Sequence, residues 1–297
     1  MTSLQSALSR KGQRRRSSLL LETVRRLRKN GLALVGIALI GAFALMAIFA
    51  GQIAPYDPIE QDWTSIQQPP SRQHVLGTDE LGRDLLSRII FGARISMTIG
   101  VVSVSIGLVF GVTLGLLAGF FGGILDSFLM RVMDIMLAVP YVLLAIAIVA
   151  ILGPGLWNTM IAIGIVTIPQ FTRIVRSSVI EIKTSTYVLA ARAVGASNLR
   201  IMLRHILTNS LSPIIVQSTL TVASAILNAA ALGFLGLGAQ PPRPEWGVML
   251  SDGRLLLLVS PWIVSFPGVA IMLSVLGFNL LGDGLRDALD PRLRGSR

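Results

Sequence analysis

The chain has no cysteine. A disulfide scaffold and a zinc–thiolate centre are therefore excluded. Charge is scarce: Asp, Glu, Lys and Arg make up 14% of the 297 residues, against about 25% in a soluble domain. That deficit argues against a water-soluble enzyme. Acids are the scarcer sign, 15 against 26 bases. His74 and His205 are the two histidines, and no His-Glu-x-x-His zinc motif occurs. The dipeptide Gly-Lys is missing, which excludes a phosphate-cradling Gly-x-x-x-x-Gly-Lys loop. No nucleophile–base constellation stands out, so no catalytic residue and no metal ligand is assigned, and the chain reads as no enzyme.

Apolar residues dominate instead. They form 53% of the sequence, too many for a disordered chain. A helix needs about 20 apolar residues to cross a bilayer. Long uncharged stretches predict six such helices, at about 31–53, 95–125, 129–152, 156–174, 211–232 and 255–282. The third and fourth are separated by Gly153-Pro154-Gly155, which makes a tight turn. The first exceeds the apolar region of a signal peptide, about 7–15 residues, and reads as an uncleaved anchor.

The net charge of +11 fits either a nucleic-acid binder or a membrane protein with an orientation signal. Its distribution decides. Residues 1–30 hold nine bases and one acid, and 173–204 hold six bases and one acid. The segment 54–93 holds six acids and three bases. The positive-inside rule then places both termini in the cytoplasm and 54–93 outside. The predicted inner side totals +13 and the outer −2. No nucleic-acid partner is expected. The chain divides into a basic segment 1–30, a first helix 31–53, an external loop 54–93, a five-helix core 94–284 and a tail 285–297.

The internal loop 175–208 carries the most information. Ala190, Ala191 and Ala193 favour helix. Gly195 permits a left-handed turn, and Ala196, Ser197 and the residues through Leu207 resume a helix. Small side chains admit a partner's backbone, while Arg192, Arg200 and Arg204 offer donors to acidic groups. On composition alone, an ordinary solvated loop whose bases only orient the chain is the alternative.

The external loop predicts an amphipathic helix beside the second span. Thr78 would cap it, Asp79 and Glu80 would sit in its first turn, and Asp84 and Arg88 would pair at i,i+4. It serves either to dock a substrate-delivering protein or as a structural lid. In the second span Gly107, Gly111, Gly115 and Gly119 recur every four residues. Such a stripe allows close helix packing; a groove lining a transport path is the alternative. Arg131 and Asp134 are expected to pair with each other. Pro140, Pro169, Gln170 and Asn228 are candidates for a path through the bundle. Asp283, Asp287 and Asp290 suit a solvated helix end rather than a metal site.

Leu189-Ala190-Ala191, Gly195, His205 and Leu207-Thr208 resemble the coupling-loop pattern of membrane subunits of ABC importers: Glu-Ala-Ala, three residues, Gly, nine residues, Ile, one residue, Leu-Pro. Leu189, His205 and Thr208 depart from it. The absent Glu weakens a salt bridge to an ATPase from that position. Residues 74–94, with His74, Gly77, Thr78, Asp79, Gly82, Arg83, Asp84 and Arg88, resemble the external segment of dipeptide and oligopeptide permeases. Residues 235–250 and 279–292 resemble the same family, and specifically the C-type member of the permease pair, which carries one span ahead of the shared five. The resemblance implies an all-α integral membrane protein of the type I ABC importer fold in a bacterial or archaeal cytoplasmic membrane. It implies a second homologous permease as heterodimer partner, two cytoplasmic ATPases that hold ATP and Mg, and an external solute-binding protein. This chain itself would bind no cofactor. The cargo would be a dipeptide or oligopeptide, with nickel chelates, glutathione or an opine as alternatives. A stand-alone secondary transporter is a rival of another class. It predicts intramembrane ion sites and internal repeats, and neither is evident.

Overall fold

The computed structural model describes residues 24–289. Helix α1 (Gly31–Ile48) starts where Asn30 accepts from the Ala33 amide, and continues past Phe49 into the short α2 (Ala50–Ile53). Helix α3 (Leu85–Phe121) has 37 residues, about 55 Å at about 1.5 Å per residue. It outreaches the hydrocarbon thickness of about 30 Å. Helix α4 (Gly123–Ala138) and helix α5 (Tyr141–Leu152) meet at a 95° bend. Helix α6 (Leu156–Lys183) follows the turn at Gly153 and Gly155. A hairpin comes next: α7 (Thr186–Ala193), then α8 (Asn198–Arg200) running into a π-helix (Ile201–Leu207). Helix α9 (Leu211–Phe234), the short α10 (Trp246–Gly253) and α11 (Trp262–Leu289) complete the described chain. Among the described residues five helices are long and apolar enough to cross a membrane, and the bent α4–α5 pair makes a sixth when counted as one span. Residues 1–23 and 290–297, including Asp290 and much of the basic N-terminal run, lie outside the described residues.

Three expectations need correction. No separate amphipathic helix occupies 78–84. Gly77 and Gly82 have positive φ, and the Asp79 carboxylate accepts from the Leu81 and Arg83 amides, which holds the segment as a tight loop. Asp84, not Thr78, caps the helix by accepting from the Ser87 amide at 2.8 Å. The periodic Leu85 and Ile89 are therefore the first turns of α3 itself. The third span is broken rather than continuous over 129–152. Pro140 forces Val139 into extended backbone (φ −89, ψ 131), and the chain turns there. The sixth span starts at Trp262 instead of 255, because Arg254–Leu256 forms a 3-10 turn on the surface.

In lipid, hydrophobicity does not drive helices together; close packing and polar contacts do. The glycine stripe shows how. A Cβ at Gly107 would meet Thr167, at Gly111 Phe171 at 2.5 Å, at Gly115 the Thr172 carbonyl at 2.7 Å, and at Gly119 Val179 at 2.7 Å. All four contacts lie on α6, so the stripe is the seam between α3 and α6. Gly36 of α1 likewise sits against the backbone of Gly277 and Leu281 in α11. Ile99, Ile163, Phe171 and Ile226 fill the centre between α3, α6 and α9.

Candidate coupling site

The hairpin lies at the C-terminal end of α3 and α6. Helix α7 closes with a Schellman motif: the Ala196 amide donates to Ala191 O and the Gly195 amide to Arg192 O, each at 3.0 Å. Gly195 has φ +80, and a Cβ there would meet nothing within 4 Å. Glycine is required by the backbone angle, not by crowding. Ser197 then caps α8. The π-helix buries Ile201 and Ile206 beside Val175 and Val179 of α6, Val188 of α7 and Leu116 of α3. The hairpin is thus nailed down by one apolar side. The rings of Tyr187 on α7 and His205 on the π-helix approach at 6.5 Å across it.

The opposite side is open. Leu189, Val194, Leu199 and Leu203 are 51–84% exposed, with Ala190, Arg192, Arg200 and Arg204 exposed among them. An exposed apolar patch rimmed by charge marks an interaction surface. Beside it a groove of about 320 Å³ is lined by Phe120, Lys183, Thr184, Leu189 and Arg192. The Arg192 guanidinium stands 5.9 Å from the Phe120 ring centroid. Lys183 donates to Gly119 O at 2.8 Å and so caps the end of α3.

The loop end, at the N-terminus of α3, is built differently. Asp79 accepts a hydrogen bond from Arg83 Nε at 2.7 Å and forms an ion pair, without hydrogen-bond geometry, with Arg88 Nε at 3.2 Å. Arg83 also reaches Glu80 at 2.8 Å, and Arg88 donates to Pro58 O. Asp84 does not pair with Arg88. It takes His74 Nδ1 at 2.9 Å and the Ser87 hydroxyl at 2.8 Å. Thr78 donates to Ser65 O and accepts from the Gln68 amide. A Cβ at Gly82 would lie 1.9 Å from Asp62 O, and one at Gly77 2.5 Å from Gln68 O. Gly77, Thr78, Asp79, Gly82, Arg83, Asp84 and Arg88 are all buried. They staple the loop to itself. Burial, reinforced by Asp79, pushes the Glu80 carboxyl above its ordinary range, and burial does the same to Asp252 beside it.

Two features escaped the sequence reading. Glu245 is 2% exposed, and its carboxylate accepts from the Gly247 and Val248 amides, each at 2.9 Å. Burial pushes its carboxyl up to about 7 against the pull of those two amides. The Pro-Glu-Trp-Gly run was the available signal: an acid at a helix N-cap, followed by Trp246, whose Nε1 donates to Ile89 O. The second feature is the pairing of Arg173 with Asp134 and of Arg176 with Asp126. Asp134 therefore turns to α6 instead of to Arg131, because the bend swings α4 across that helix. Pro140 is at the bend, Gln170 is exposed on α6, and Asn228 of α9 donates to Ser224 O of its own helix. These path candidates lie on three separate elements.

Comparison with known proteins supplies an independent reading. Residues 111–295 match the family described as binding-protein-dependent transport system inner membrane component. Residues 18–70 match the N-terminal TM domain of oligopeptide transport permease C. The dipeptide transport system permease protein DppC of Alkalihalophilus pseudofirmus is 54% identical over 92% of this chain and 90% of its own length. The di/tripeptide permease DppC of Pseudomonas aeruginosa is 52% identical, over 89% of each. The glutathione permease GsiD of Escherichia coli is 47% identical, over 91% of this chain and 90% of its own. The inward-facing MetNI methionine ABC transporter shares the fold, with a TM-score of 0.57 at 20% identity, over 69% of this chain and 98% of that one.

Proposed function

The chain belongs to the family of binding-protein-dependent transport system inner membrane components, and from that premise we propose that it is one transmembrane subunit of an ATP-driven importer of dipeptides or short oligopeptides. The observation that carries the cargo is the 54% identity to a dipeptide permease over nearly the whole chain. The 47% identity to glutathione permeases favours a second reading, glutathione, itself a modified tripeptide.

The hairpin end faces the cytoplasm in this reading, with both termini on that side of the cytoplasmic membrane. The charge asymmetry supports it: bases concentrate in 1–30 and 173–204. Two ATPase subunits hold ATP and Mg and dock on the exposed face around Ala190, Ala191, Arg192, Gly195 and Arg200. A second, homologous permease completes the membrane unit, and an external binding protein delivers the cargo. When the ATPases close, they push the hairpin, which is rooted in α3, α6 and α9 through Ile201 and Ile206. The push becomes a rigid-body movement of helices and switches access from one side to the other. Because Leu189 replaces the usual glutamate, docking here rests on apolar contact and on arginines that meet acidic groups.

The test is reconstitution of the affinity-purified complex in liposomes with its binding protein, followed by uptake of a labelled panel of dipeptides, tripeptides and glutathione. ATP-dependent uptake of peptides is the expected result. Purification without an ATPase or a second permease would overturn the assignment.

A further inference from the structure

We propose that two ion pairs, Arg176–Asp126 and Arg173–Asp134, latch helix α4 to α6 and make it move with the coupling hairpin. The inference rests on the transport reading above and adds positioning residues to it. Within this chain helix α4 buries little else. Among its residues only Met133 is buried, while Ile124, Phe128 and Ile135 are 90%, 64% and 63% exposed. Its N-terminal joint is Gly122-Gly123, with φ of +67 and +61 and nothing within 4 Å of either Cβ position. Those angles suit glycine, and no neighbouring side chain wedges the joint. Its other end is the 95° bend at Val139–Pro140. A rod with a joint at each end takes its position from its cross-links.

Those cross-links are specific. Asp126 sits in the first turn of α4 and accepts from Arg176 Nε at 2.5 Å and Nη2 at 2.7 Å. This is a two-pronged contact, the geometry in which a guanidinium fixes direction as well as distance. The pair is partly shielded, with side chains 32% and 18% exposed. Two turns along, Asp134 accepts from Arg173 Nη2 at 2.6 Å, in a more open setting. Both arginines stand on α6 within the α3 seam itself, where Cβ atoms at Gly115 and Gly119 would meet the Arg176 backbone. The α3–α6 seam is too close for sliding, since a Cβ at each stripe glycine would collide with α6 backbone or Cβ atoms. Lys183 ties the end of α6 to Gly119 O, one turn before the joint. A displacement of the hairpin therefore moves α3 and α6 together, and the arginines carry α4 with them.

The experiment uses the complete complex in liposomes and reads two quantities: peptide taken up per ATP hydrolysed, and the distance between spin labels at Phe128→Cys and Val194→Cys. The chain has no cysteine of its own, so within it the labels attach only at these two positions, and the same complex without the two substitutions supplies the background from its partners. Asp126→Arg places two guanidiniums face to face. It is expected to lower uptake per ATP by about tenfold and to broaden the label distance. The exchange Asp126→Arg with Arg176→Asp rebuilds the pair in reverse and is expected to recover uptake to within about twofold and a narrow distance. Should Asp126→Arg fail to insert, Asp126→Asn removes the charge at nearly constant size, and its label distance decides. A narrow, unchanged distance with normal uptake per ATP in the single variants would overturn the latch. So would an exchange variant that assembles yet behaves like the singles. If the wild-type complex moves no peptide, the cargo assignment falls, and the label distances still decide the latch.

Discussion

Arg83 and Arg88 at the loop end are 4% and 2% exposed and share Asp79; Arg192, Arg200 and Arg204 at the hairpin end stand in the open among exposed leucines. Both ends are rich in charge, and both carry segments with a family resemblance, the hairpin to ABC importer membrane subunits and the loop to dipeptide and oligopeptide permeases. Their charges have different partners. At the loop end every carboxylate of the Asp79–Asp84 stretch finds its partner within the chain, so the charge specifies shape. At the hairpin end the arginines have no such close carboxylate among the described residues, and in the proposed function another protein supplies it. Resemblance in sequence does not separate these two cases; burial does.

The sharpest way to break the comparison is at Asp79. Asp79→Ala leaves Arg88 without its carboxylate in a buried site and Arg83 with Glu80 alone. Removing one partner of a buried ion pair costs about 3–5 kcal/mol. The variant is expected to show a large drop in thermal unfolding temperature in detergent and a low yield of inserted protein. A near-normal melting point would mean that the loop end is no more self-sufficient than the hairpin. Glu245 gives the next largest effect. Its carboxyl is raised from 4.5 to about 7 by burial, so the folded state holds a proton that the unfolded state releases between those values. Its contribution to stability is complete below about pH 4.5 and lost as pH rises through about 7, a change of about 3 kcal/mol. Glu245→Gln cannot ionise. Its melting temperature, followed from pH 5 to 8, is expected to fall less with pH than the wild type's. Equal slopes would remove Glu245 as the source.

Much of this architecture was legible. Apolar run length locates the membrane-crossing helices, because the bilayer sets one length scale and no tertiary contact competes with it. The turn at Gly195 was legible because alanines end at a glycine with the spacing of a helix C-cap. The Gly153-Pro154-Gly155 break was equally plain. What was not legible depends on competition between local options. Thr78 and Asp84 are both good caps, and only the pairing of Asp79 with residues downstream decides for Asp84. Asp134 has Arg131 three residues away, and its choice of Arg173 follows from a 95° bend that hydropathy averages across. Glu245 reads as a surface acid after three prolines, and its burial depends on Gly233 and Gly238, which leave room for the carboxylate from another part of the chain.

The smaller effects sharpen the contrast from the hairpin side. Gly195→Ala puts a side chain on a backbone at φ +80 with open space around it. The strain is that of one left-handed residue, about 1–2 kcal/mol, and it falls on the Schellman turn alone. Melting is expected to shift little, while ATP-driven uptake drops because α7 and the π-helix no longer present one face. Arg192→Glu is smaller still in stability. The side chain is exposed, and its change is expected to stay within about 0.5 kcal/mol. Its effect lies on the partner: an acidic docking surface would now meet like charge, and ATPase association is expected to weaken by about tenfold, about 1.4 kcal/mol. Sedimentation of the membrane pair with its ATPases, at low and high salt, measures this. A loss that shrinks as salt rises is the signature of exposed charge. A variant that melts early but keeps its ATPases would instead make Arg192 a staple of the fold, like Arg83, and the two ends of the molecule would then be built alike.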